Sequence, residues 1–430
     1  MKFFSRPVIL FVFIALSLDS RAQQDPMPAN PAVLLRVGQD QKRATKINDA
    51  IFQAIGFSNT FMVTTEAGNV IIDTSMPFNA ALHKRLLTAE SAGPIRYIIL
   101  THAHGDHTGG IAAWKQPDTK IVAQENHKEF QHYTARLNGF YAIRNAAQFA
   151  LPTPAPTVWP GNYGAKIEPN VFFEDKYGFE LGGVKFEVYH TPGETYDHAT
   201  VWIPKYKAAF IGDNYYDSFP NIYTLRGTEP RRALDYINSL NNVLALKPEI
   251  VLPSHGMAIF GNDEIMKRLT RYRDAIQYVH DETVKGMNAG KSVWTLMSEI
   301  KLPPALDIGE GYGKLSWSIR GIYEGYVGWF DLNPATMYEK PAASVYADVV
   351  KLAGGADVVA KLAMDRALAG QAVEALHLSD ITLAVDANNQ AALQAKLKAL
   401  ETLRSRCRNS NERGWLDFSI NDVKLKLGEK

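Results

Sequence analysis

The pattern of apolar and polar positions divides the chain into two parts of different character. Up to about residue 260, short strand-like apolar segments recur between turn residues. Residues 97–100 (YIIL) form a continuous apolar run, which is typical of a buried central strand. Beyond about Gly261 these segments stop and helical patterns follow. We therefore expect an α/β part followed by an all-α part.

Helical patterns lie between the candidate strands of the first part. The stretch NTFMVTTEAGNVIIDTS (residues 59–75) predicts two strands around Gly68-Asn69, and residues 79–87 then predict a helix. Another helical pattern covers residues 231–246. This mixture predicts a layered α/β domain. The further candidate strands are residues 97–100, 120–123, 184–189, 199–203, 208–211 and 250–252.

Residues 126–159 interrupt the α/β pattern with aromatic side chains and a proline-rich tail, LPTPAPTVWP. An ordinary surface insertion is one interpretation. The aromatic residues are too many for a solvated loop, so we predict a partly buried lid over an apolar pocket. These residues are Tyr133, Phe140, Tyr141, Phe149 and Trp159.

The second part is expected to be built from helices alone. Residues 263–290 predict one long helix that ends at Gly290, and residues 342–403 predict alanine- and leucine-rich helix pairs. Residues 369–403 resemble a single hairpin of tetratricopeptide type, which cannot bury its apolar face alone. We therefore expect it to pack on the α/β domain or on another subunit, and we predict a homodimer. Removal of residues from Ala342 onward is expected to lower the solubility of the protein before it lowers the catalytic activity.

Composition and charge exclude some classes of partner. At 430 residues, with 46% apolar and 21% charged residues, the chain is ordinary for a soluble protein of two or three domains. Its formal net charge of +1 favours neither nucleic acid nor an anionic membrane as a partner. The single cysteine, Cys407, cannot form an internal disulfide.

Residues 1–22 have the pattern of an export signal peptide. Lys2 and Arg6 give a positive start, residues 8–18 are apolar, and residues 20–22 (SRA) offer small residues for cleavage. A membrane anchor is the alternative, but the apolar run is shorter than the ~20 residues that a span needs. We expect an exported protein, periplasmic or secreted, that begins near Gln23 and has no stable membrane anchor.

The stretch LTHAHGDHTGG (residues 100–110) places three of the chain's eleven histidines and one aspartate within six residues. His102 and His104 can face one centre, while Asp106 and His107 serve a second. Imidazole and carboxylate in this spacing suit zinc or a related divalent ion. Two ions ~3.5–4 Å apart can clamp an attacking hydroxide and a leaving oxygen. A polar turn with chance histidines is the alternative, which the position after a buried strand disfavours.

The motif THAHGDHTGG resembles the signature of the metallo-β-lactamase superfamily. The resemblance implies a four-layer αβ/βα sandwich with two metal ions at the edges of its sheets. Further ligands are then expected in HTPGETYDHATVW, AAFIGDNYYD and VLPSHG, which follow in the right order. On this basis Asp213 is the bridging carboxylate, and His255 is the last ligand of the second ion.

Glu194 stands where most members of this superfamily carry a histidine after PG. The alkyl sulfatase branch has a glutamate in this region, so the resemblance implies Glu194 as the last ligand of the first ion. In that branch a glutamate usually bridges the two metal ions at the position that Asp213 occupies in this sequence. His198 is a rival ligand, although a supporting role beside the metals is favoured. The implied ligands of two Zn²⁺ ions are His102, His104, Asp106, His107, Glu194, Asp213 and His255.

Three further blocks resemble the zinc-dependent (type III) alkyl sulfatases: residues 221–240, 271–290 and 312–334. The helices behind them resemble that family's dimerisation region. The resemblance implies a catalytic domain over residues 23–262 and an all-α, tetratricopeptide-like dimerisation domain over residues 263–430. It also implies hydrolysis of alkyl sulfate esters to alcohol and inorganic sulfate, with the alkyl chain under the aromatic insertion.

Arg226 is the residue that the resemblance assigns to the sulfate group. A guanidinium offers a planar fork of donors and stays charged at any working pH, whereas a structural salt bridge is the alternative role. Asp106 and Arg226 are thus the predicted catalytic residues. Tyr312 is predicted to contact the substrate, although a packed aromatic is an equal alternative. Arg231 and Arg232 are expected to be surface charges of a helix.

Two other functions remain open on the sequence. A lactonase or a β-lactamase-like hydrolase would use the same metal ions without needing Arg226. A non-enzymatic metal-binding or assembly protein would use the C-terminal helices for partners, and the complete ligand set argues against it.

Overall fold

The computed structural model describes residues 30–152 and 167–429. The predicted signal peptide and residues 153–160 of the proline-rich tail, which include Trp159, lie outside these residues. No helix within the described ranges is both long and apolar enough to cross a bilayer.

Two β-sheets form the centre of the first part. The first sheet has the strand order β1 to β7, in which β4 to β7 run parallel and the rest antiparallel. The second has the order β13-β12-β11-β10-β9-β8, and only β11 and β12 are parallel in it. The strands are β1 Thr45–Lys46, β2 Ile51–Ala54, β3 Thr60–Thr65, β4 Gly68–Ile72, β5 Ile95–Ile99, β6 Lys120–Gln124, β7 Val171–Phe173, β8 Lys176–Leu181, β9 Val184–His190, β10 Ala199–Ile203, β11 Ala208–Gly212, β12 Ile250–Pro253 and β13 Ile259–Phe260.

Helices cover the sheets and make up the rest of the described chain. They are α1 Pro31–Leu34, α2 Pro77–Thr88, α3 Gly105–Thr108, α4 Ile111–Trp114, α5 His127–Arg136, α6 Asn138–Gln148, α7 Ala233–Ala245, α8 Asn262–Asn288, α9 Val293–Glu299, α10 Leu315–Val327, α11 Tyr346–Leu352, α12 Ala356–Leu368, α13 Ala372–Val385, α14 Gln390–Arg406 and α15 Ser410–Leu427. Short 3₁₀ turns lie at Pro204–Tyr206, Pro304–Leu306, Pro334–Met337 and Ala342–Val345.

The alternation of side chains along the strands explains why the two sheets pack face to face. Phe61 of β3 and Phe210 of β11 project into the space between the sheets, where their ring centroids lie 5.2 Å apart. Val201 of β10 joins them, whereas its neighbour Trp202 points to the opposite face. Each fully buried side chain of this kind contributes about 1.5–3 kcal/mol. This inner layer therefore fixes the two sheets relative to each other.

Helices cover both outer faces, which completes the predicted four layers. Leu87 of α2 and Trp114 of α4 pack on the first sheet. Leu240 of α7 and Ile276 of α8 pack on the second. Helix α8, which the predicted domain boundary assigns to the helical part, thus shares one of these layers with α7. The expected αβ/βα sandwich is confirmed.

The predicted strands and the long helix agree with the structure to within a few residues. The first hairpin differs, because its turn falls before the predicted Gly68-Asn69 pair and Gly68 already begins β4. Gly68 has φ +126, and a Cβ there would lie 2.6 Å from the carbonyl oxygen of Pro94. The glycine is therefore needed for this close approach rather than for the turn.

The helical part contains the predicted hairpin as α13 and α14, which pack against α12. The last helix, α15, returns to the first part and packs against α6 of the aromatic insertion. Apolar side chains elsewhere on this part stay open to solvent, with Trp329 72%, Leu332 83% and Leu352 88% exposed. The contact with the first part is thus made by α15, which follows the predicted hairpin, and the expectation that the hairpin itself packs on the α/β domain or on another subunit stays a prediction.

Candidate metal centre

The predicted ligands lie where strands of the two sheets end. His102 and His104 follow β5, and the short helix α3 carries Asp106 and His107. Asp213 directly follows β11, and His255 follows the parallel neighbour β12. Because the inner core holds the two sheets face to face, these segments meet at one edge of the sandwich.

One cluster consists of Asp106, His107, Asp213 and His255, whose ligand atoms all lie within 4.8 Å of one another. The His255 Nε2 atom is 3.2 Å from Asp213 Oδ2 and 3.4 Å from Asp106 Oδ2. The His107 Nε2 atom is 3.3 Å from Asp106 Oδ2. Two imidazoles and two carboxylates thus converge on one point.

A second cluster consists of His102, His104 and Asp213. The His102 Nε2 atom is 2.9 Å from His104 Nδ1 and 3.8 Å from Asp213 Oδ2. Asp213 belongs to both clusters, which is the arrangement expected of a bridging carboxylate.

Glu194 lies beside the second cluster rather than inside it. Its Oε1 atom is 4.0 Å from His104 Nδ1. Its Oε2 atom is 2.6 Å from Arg231 Nη1 and accepts a 2.6 Å hydrogen bond from the hydroxyl of Tyr236. Oε2 is therefore held by Arg231 and Tyr236, whereas Oε1 points toward His104.

His198 has both ring nitrogens engaged away from the clusters. Its Nδ1 atom donates to the carbonyl of Thr191 at 3.0 Å, and its Nε2 atom accepts from the backbone N–H of Asp213 at 3.1 Å. Burial lowers the pKa of His198 to about 4, so that the ring is neutral. This placement agrees with the favoured supporting role, because the ring holds the backbone of the proposed bridging residue.

Two orphaned atoms show that the clusters fit a metal ion. Among the residues that the structure describes, His107 Nε2 and Asp213 Oδ1 have no hydrogen-bond partner, although buried polar atoms are nearly always paired. The other ring nitrogens of His107 and His255 donate to Asp73 and to the carbonyl of Phe57, so that both Nε2 atoms face the cluster. Imidazole and carboxylate donors in this arrangement suit zinc or a related divalent ion.

The carboxylates of the first cluster strongly perturb its histidines. Burial disfavours a charged ring, but Asp213 and Asp106 raise the pKa of His255 to about 10. Asp213, Asp106 and Asp73 likewise raise the pKa of His107 well above its usual value against the effect of burial. At neutral pH both rings therefore carry protons that a bound cation must displace.

Asp73 is a supporting residue that the sequence analysis missed. It is fully buried and accepts hydrogen bonds from the backbone and hydroxyl of Thr101, from Ser254 and from His107 Nδ1, all at 2.8–2.9 Å. It follows β4, and its φ of 54° is unusual for a residue other than glycine. The sequence signal that could have identified this residue is an aspartate directly after a buried strand.

Tyr216 is a second residue that the sequence analysis missed. Its hydroxyl donates to Asp213 Oδ2 at 2.8 Å. Burial and the neighbouring Asp213 and Glu194 raise the pKa of Tyr216 well above its usual value, so the phenol keeps its proton. Its ring centroid lies 5.2 Å from that of Tyr312. The structure thus brings the predicted substrate residue Tyr312, which is partly exposed, to the edge of the metal cluster.

The prediction for Arg231 was wrong. Arg231 is buried, pairs with Glu194 and donates to the carbonyl of Asn221 at 2.8 Å, whereas Arg232 is exposed as expected. Both residues precede the first residue of α7, Ala233. Helical periodicity therefore does not apply to them, and the extended chain turns successive side chains to opposite sides.

Arg226 reaches the second cluster from the side of the aromatic insertion. Its Nη2 atom is 3.3 Å from His104 Nε2, and its guanidinium carbon lies 5.8 Å from the ring centroid of Tyr141. Helix α6 holds its backbone, because Gln148 accepts from the Arg226 N–H at 2.9 Å and Arg144 donates to its carbonyl at 2.6 Å. The insertion thus packs against the loop that carries the predicted sulfate-binding residue.

Comparison with known proteins agrees with this geometry. Residues 54–255 match the family model of the Metallo-beta-lactamase superfamily. The chain contains a metallo-beta-lactamase domain. Residues 295–423 match the family model described as alkyl sulfatase dimerisation.

Relatives of this chain include a linear primary-alkylsulfatase from Pseudomonas sp., which is 29% identical over 85% of the chain and 74% of the relative. An alkyl/aryl-sulfatase from Saccharomyces cerevisiae is 26% identical over 83% of the chain, which spans only 60% of that relative. A solved sec-alkylsulfatase from Pseudomonas sp. superposes with a TM-score of 0.80 at 22% identity, over 90% of this chain and 66% of the other. The structural likeness confirms the fold.

Proposed function

We propose that this protein is a metal-dependent hydrolase that cleaves alkyl sulfate esters to an alcohol and inorganic sulfate. The observation that carries the proposal is the guanidinium of Arg226, which lies 3.3 Å from His104 at the edge of the metal cluster. The alkylsulfatases among its relatives support the same reaction class. Hydrolysis adds water across the ester and releases one proton.

Arg226 supplies the charge complementarity that a sulfate ester needs. The ester carries one negative charge and the released sulfate carries two, and a guanidinium binds two of the sulfate oxygens through parallel N–H groups. Helix α6 holds the Arg226 backbone from two sides, so the side chain starts from a fixed position. Tyr312, beside Tyr216, is the second group that we assign to substrate binding.

The proposal includes two Zn²⁺ ions per chain. His102, His104, Glu194 and Asp213 would hold the first, while Asp106, His107, Asp213 and His255 would hold the second. When bound, such ions activate water and stabilise the charge on the leaving oxygen. The set of ligands is His102, His104, Asp106, His107, Glu194, Asp213 and His255, with Asp106 and Arg226 as the catalytic residues.

Supporting residues orient these ligands toward a cation. Asp73 accepts from His107 Nδ1, so the proton that a cation displaces from this ring is the one on Nε2, which faces the cluster. The protonated hydroxyl of Tyr216 orients the Asp213 carboxylate through Oδ2, and Oδ1 has no partner among the described residues.

The aromatic insertion is the part that we assign to the alkyl chain. Phe130 and Tyr141 are buried beside the Arg226 loop, and the hydroxyls of Tyr133 and Tyr141 share a 2.5 Å hydrogen bond. Phe140 and Ile143 of α6 remain exposed. Apolar rings next to a charged guanidinium match the two ends of an alkyl sulfate.

The organisation that we propose follows the sequence pattern. It comprises a signal peptide over residues 1–22, a catalytic domain over residues 23–262 and a helical dimerisation domain over residues 263–430. The match to the alkyl sulfatase dimerisation family and the exposed Trp329, Leu332 and Leu352 support a homodimer. Export to the periplasm or the medium rests on the N-terminal pattern alone.

The experiment compares Arg226→Ala with the unchanged protein on an alkyl sulfate and on a lactone. Loss of the guanidinium is expected to cost about 2–4 kcal/mol of transition-state stabilisation on the sulfate, or roughly two to three orders of magnitude in kcat/KM. Arg226→Lys keeps the charge but not the planar fork, so it should recover only part of the loss. Metal content should stay unchanged. Equal activity of the unchanged protein and Arg226→Ala on the sulfate, or turnover confined to the lactone, would favour the lactonase alternative.

A further inference from the structure

The first turn of α15 is fastened to the segment that carries Tyr312. Asn409, which caps this helix by accepting from the N–H of Glu412 at 2.9 Å, is almost fully buried. Its Nδ2 atom donates to the carbonyls of Glu310 at 2.8 Å and Tyr312 at 2.9 Å. One side chain therefore closes the helix end and holds the Tyr312 segment.

The next two residues of α15 add to this attachment. The backbone N–H of Ser410 donates to the carbonyl of Gly311 at 2.9 Å, and Asn411 Nδ2 donates to the carbonyl of Tyr312 at 3.0 Å. Ser410 and Asn411 are both buried. Hydrogen bonds in such a dry place are costly to leave unmade, so they fix the path of the segment.

The other side of the Tyr312 segment is fixed to the chain that follows Asp213. The Tyr312 N–H donates to Ser218 Oγ at 3.1 Å, and the Gly313 N–H donates to the carbonyl of Phe219 at 3.0 Å. The Tyr312 segment thus lies between α15 and the stretch that carries Tyr216. Its position depends on both neighbours.

Helix α15 also supports the loop of Arg226 through α6. A Cβ at Gly414 would lie 1.9 Å from the carbonyl oxygen of Gln148, so the two backbones are in direct contact. The side chain of Gln148 in turn accepts from the Arg226 N–H at 2.9 Å and from Thr224 Oγ1 at 3.1 Å. One helix at the end of the chain therefore reaches both residues that we assign to the sulfate group.

We propose that α15 is a positioning element of the substrate site, in which Asn409 and Asn411 hold Tyr312 and Gly414 seats α6 behind Arg226. This inference rests on the proposed function, because it concerns how the sulfate group is bound. The inference revises the expectation that removal of residues from Ala342 onward lowers solubility before it lowers catalytic activity. Loss of α15 removes the support of the substrate site itself.

The test is Asn409→Ser. A serine hydroxyl still caps the helix, but it is too short to reach the carbonyls of Glu310 and Tyr312. Contacts with the sulfate group are made before and during cleavage, so their loss raises KM rather than lowering kcat. We expect KM for an alkyl sulfate to rise about 10- to 100-fold, with kcat and metal content unchanged.

Asn389→Ser is the matched control. Asn389 is a nearly buried cap of another helix in the same part of the chain, where it accepts from the Ala392 N–H at 2.9 Å and donates to Asp357 at 3.0 Å. The residues that it bonds are not part of the substrate site. This variant should keep the KM of the unchanged protein.

Hydrogen exchange supplies a readout independent of turnover. The amides of Tyr312 and Gly313 should exchange faster in Asn409→Ser and not in Asn389→Ser. A KM within twofold of the unchanged protein, or unchanged exchange at these amides, would overturn the inference. If Asn409→Ser does not fold, Asn411→Ala, which removes a single bond to Tyr312, takes its place with the same criteria. Absence of alkyl sulfate turnover in the unchanged protein would instead overturn the proposed function, and this inference with it.

Discussion

Replacement of Asp73 by asparagine tests how the metal cluster is organised. The carboxylate accepts from the Thr101 backbone through Oδ1, while Oδ2 accepts from the Thr101 and Ser254 hydroxyls and from His107 Nδ1. Asparagine has nearly the same shape but presents an NH₂ group in place of one oxygen. The backbone N–H of Thr101 keeps the amide oxygen on its side, so the NH₂ group faces His107.

The consequence for His107 is a change of tautomer. Its Nδ1 atom can no longer donate to residue 73 and instead accepts, so the neutral ring that a metal needs carries its one proton on Nε2. That atom lies 3.3 Å from Asp106 Oδ2 and 3.4 Å from Asp213 Oδ2, at the position assigned to the metal. Loss of such a supporting carboxylate costs roughly 10- to 100-fold in metal affinity. Because the buried charge is lost as well, we expect a loss near the upper end, about 100-fold or ~2.8 kcal/mol.

The assay is a competition titration of the metal-free protein with zinc and a chelating indicator. Asp197→Asn is the control, because Asp197 is also fully buried and its Oδ2 atom lies 3.2 Å from a histidine, His127, that does not belong to either cluster. The control should keep its affinity within about twofold, well below the effect of a lost supporting carboxylate. Equal zinc affinities of Asp73→Asn and the unchanged protein, or an equal loss in both variants, would refute the role given to Asp73.

Two further predictions concern metal loading and assembly. Because the pKa of His107 is raised well above its usual value and that of His255 to about 10, both rings are protonated in the metal-free protein at pH 7 and must release their protons when a cation binds. Calorimetric titration with zinc in buffers of different ionisation enthalpy should therefore show release of close to two protons from the cluster of Asp106, His107, Asp213 and His255, and release of none would contradict it. Light scattering of the purified protein should give the mass of a dimer, since Trp329, Leu332 and Leu352 are exposed in the single chain, and a stable monomer at working concentration would contradict this assembly.

Much of the fold could be predicted because apolar periodicity is a local signal. The run at residues 97–100 is apolar on both faces, and β5 is indeed covered by the second sheet on one side and by α2 and α4 on the other. The histidine motif could also be identified locally, because four candidate ligands lie within six residues. Gly68 shows the limit, since its role depends on Pro94 in another segment.

The supporting residues of the site could not be predicted, because their roles depend on contacts between distant segments. Asp73 acts on His107, Arg231 acts on Glu194, and Asn409 acts on the segment of Tyr312. No periodicity or spacing relates these partners. Arg231 shows the difficulty most clearly, because a charged residue just before a helix is more often exposed than buried.

The most direct test of the account is the turnover of an alkyl sulfate by the metal-free protein and by the same protein reloaded with zinc. The account predicts no turnover without metal and a recovery of kcat/KM that is complete only when two ions are bound per chain, with alcohol and inorganic sulfate released in equal amounts. Full activity in the metal-free protein, or no sulfate release from fully loaded protein that hydrolyses a lactone, would contradict it.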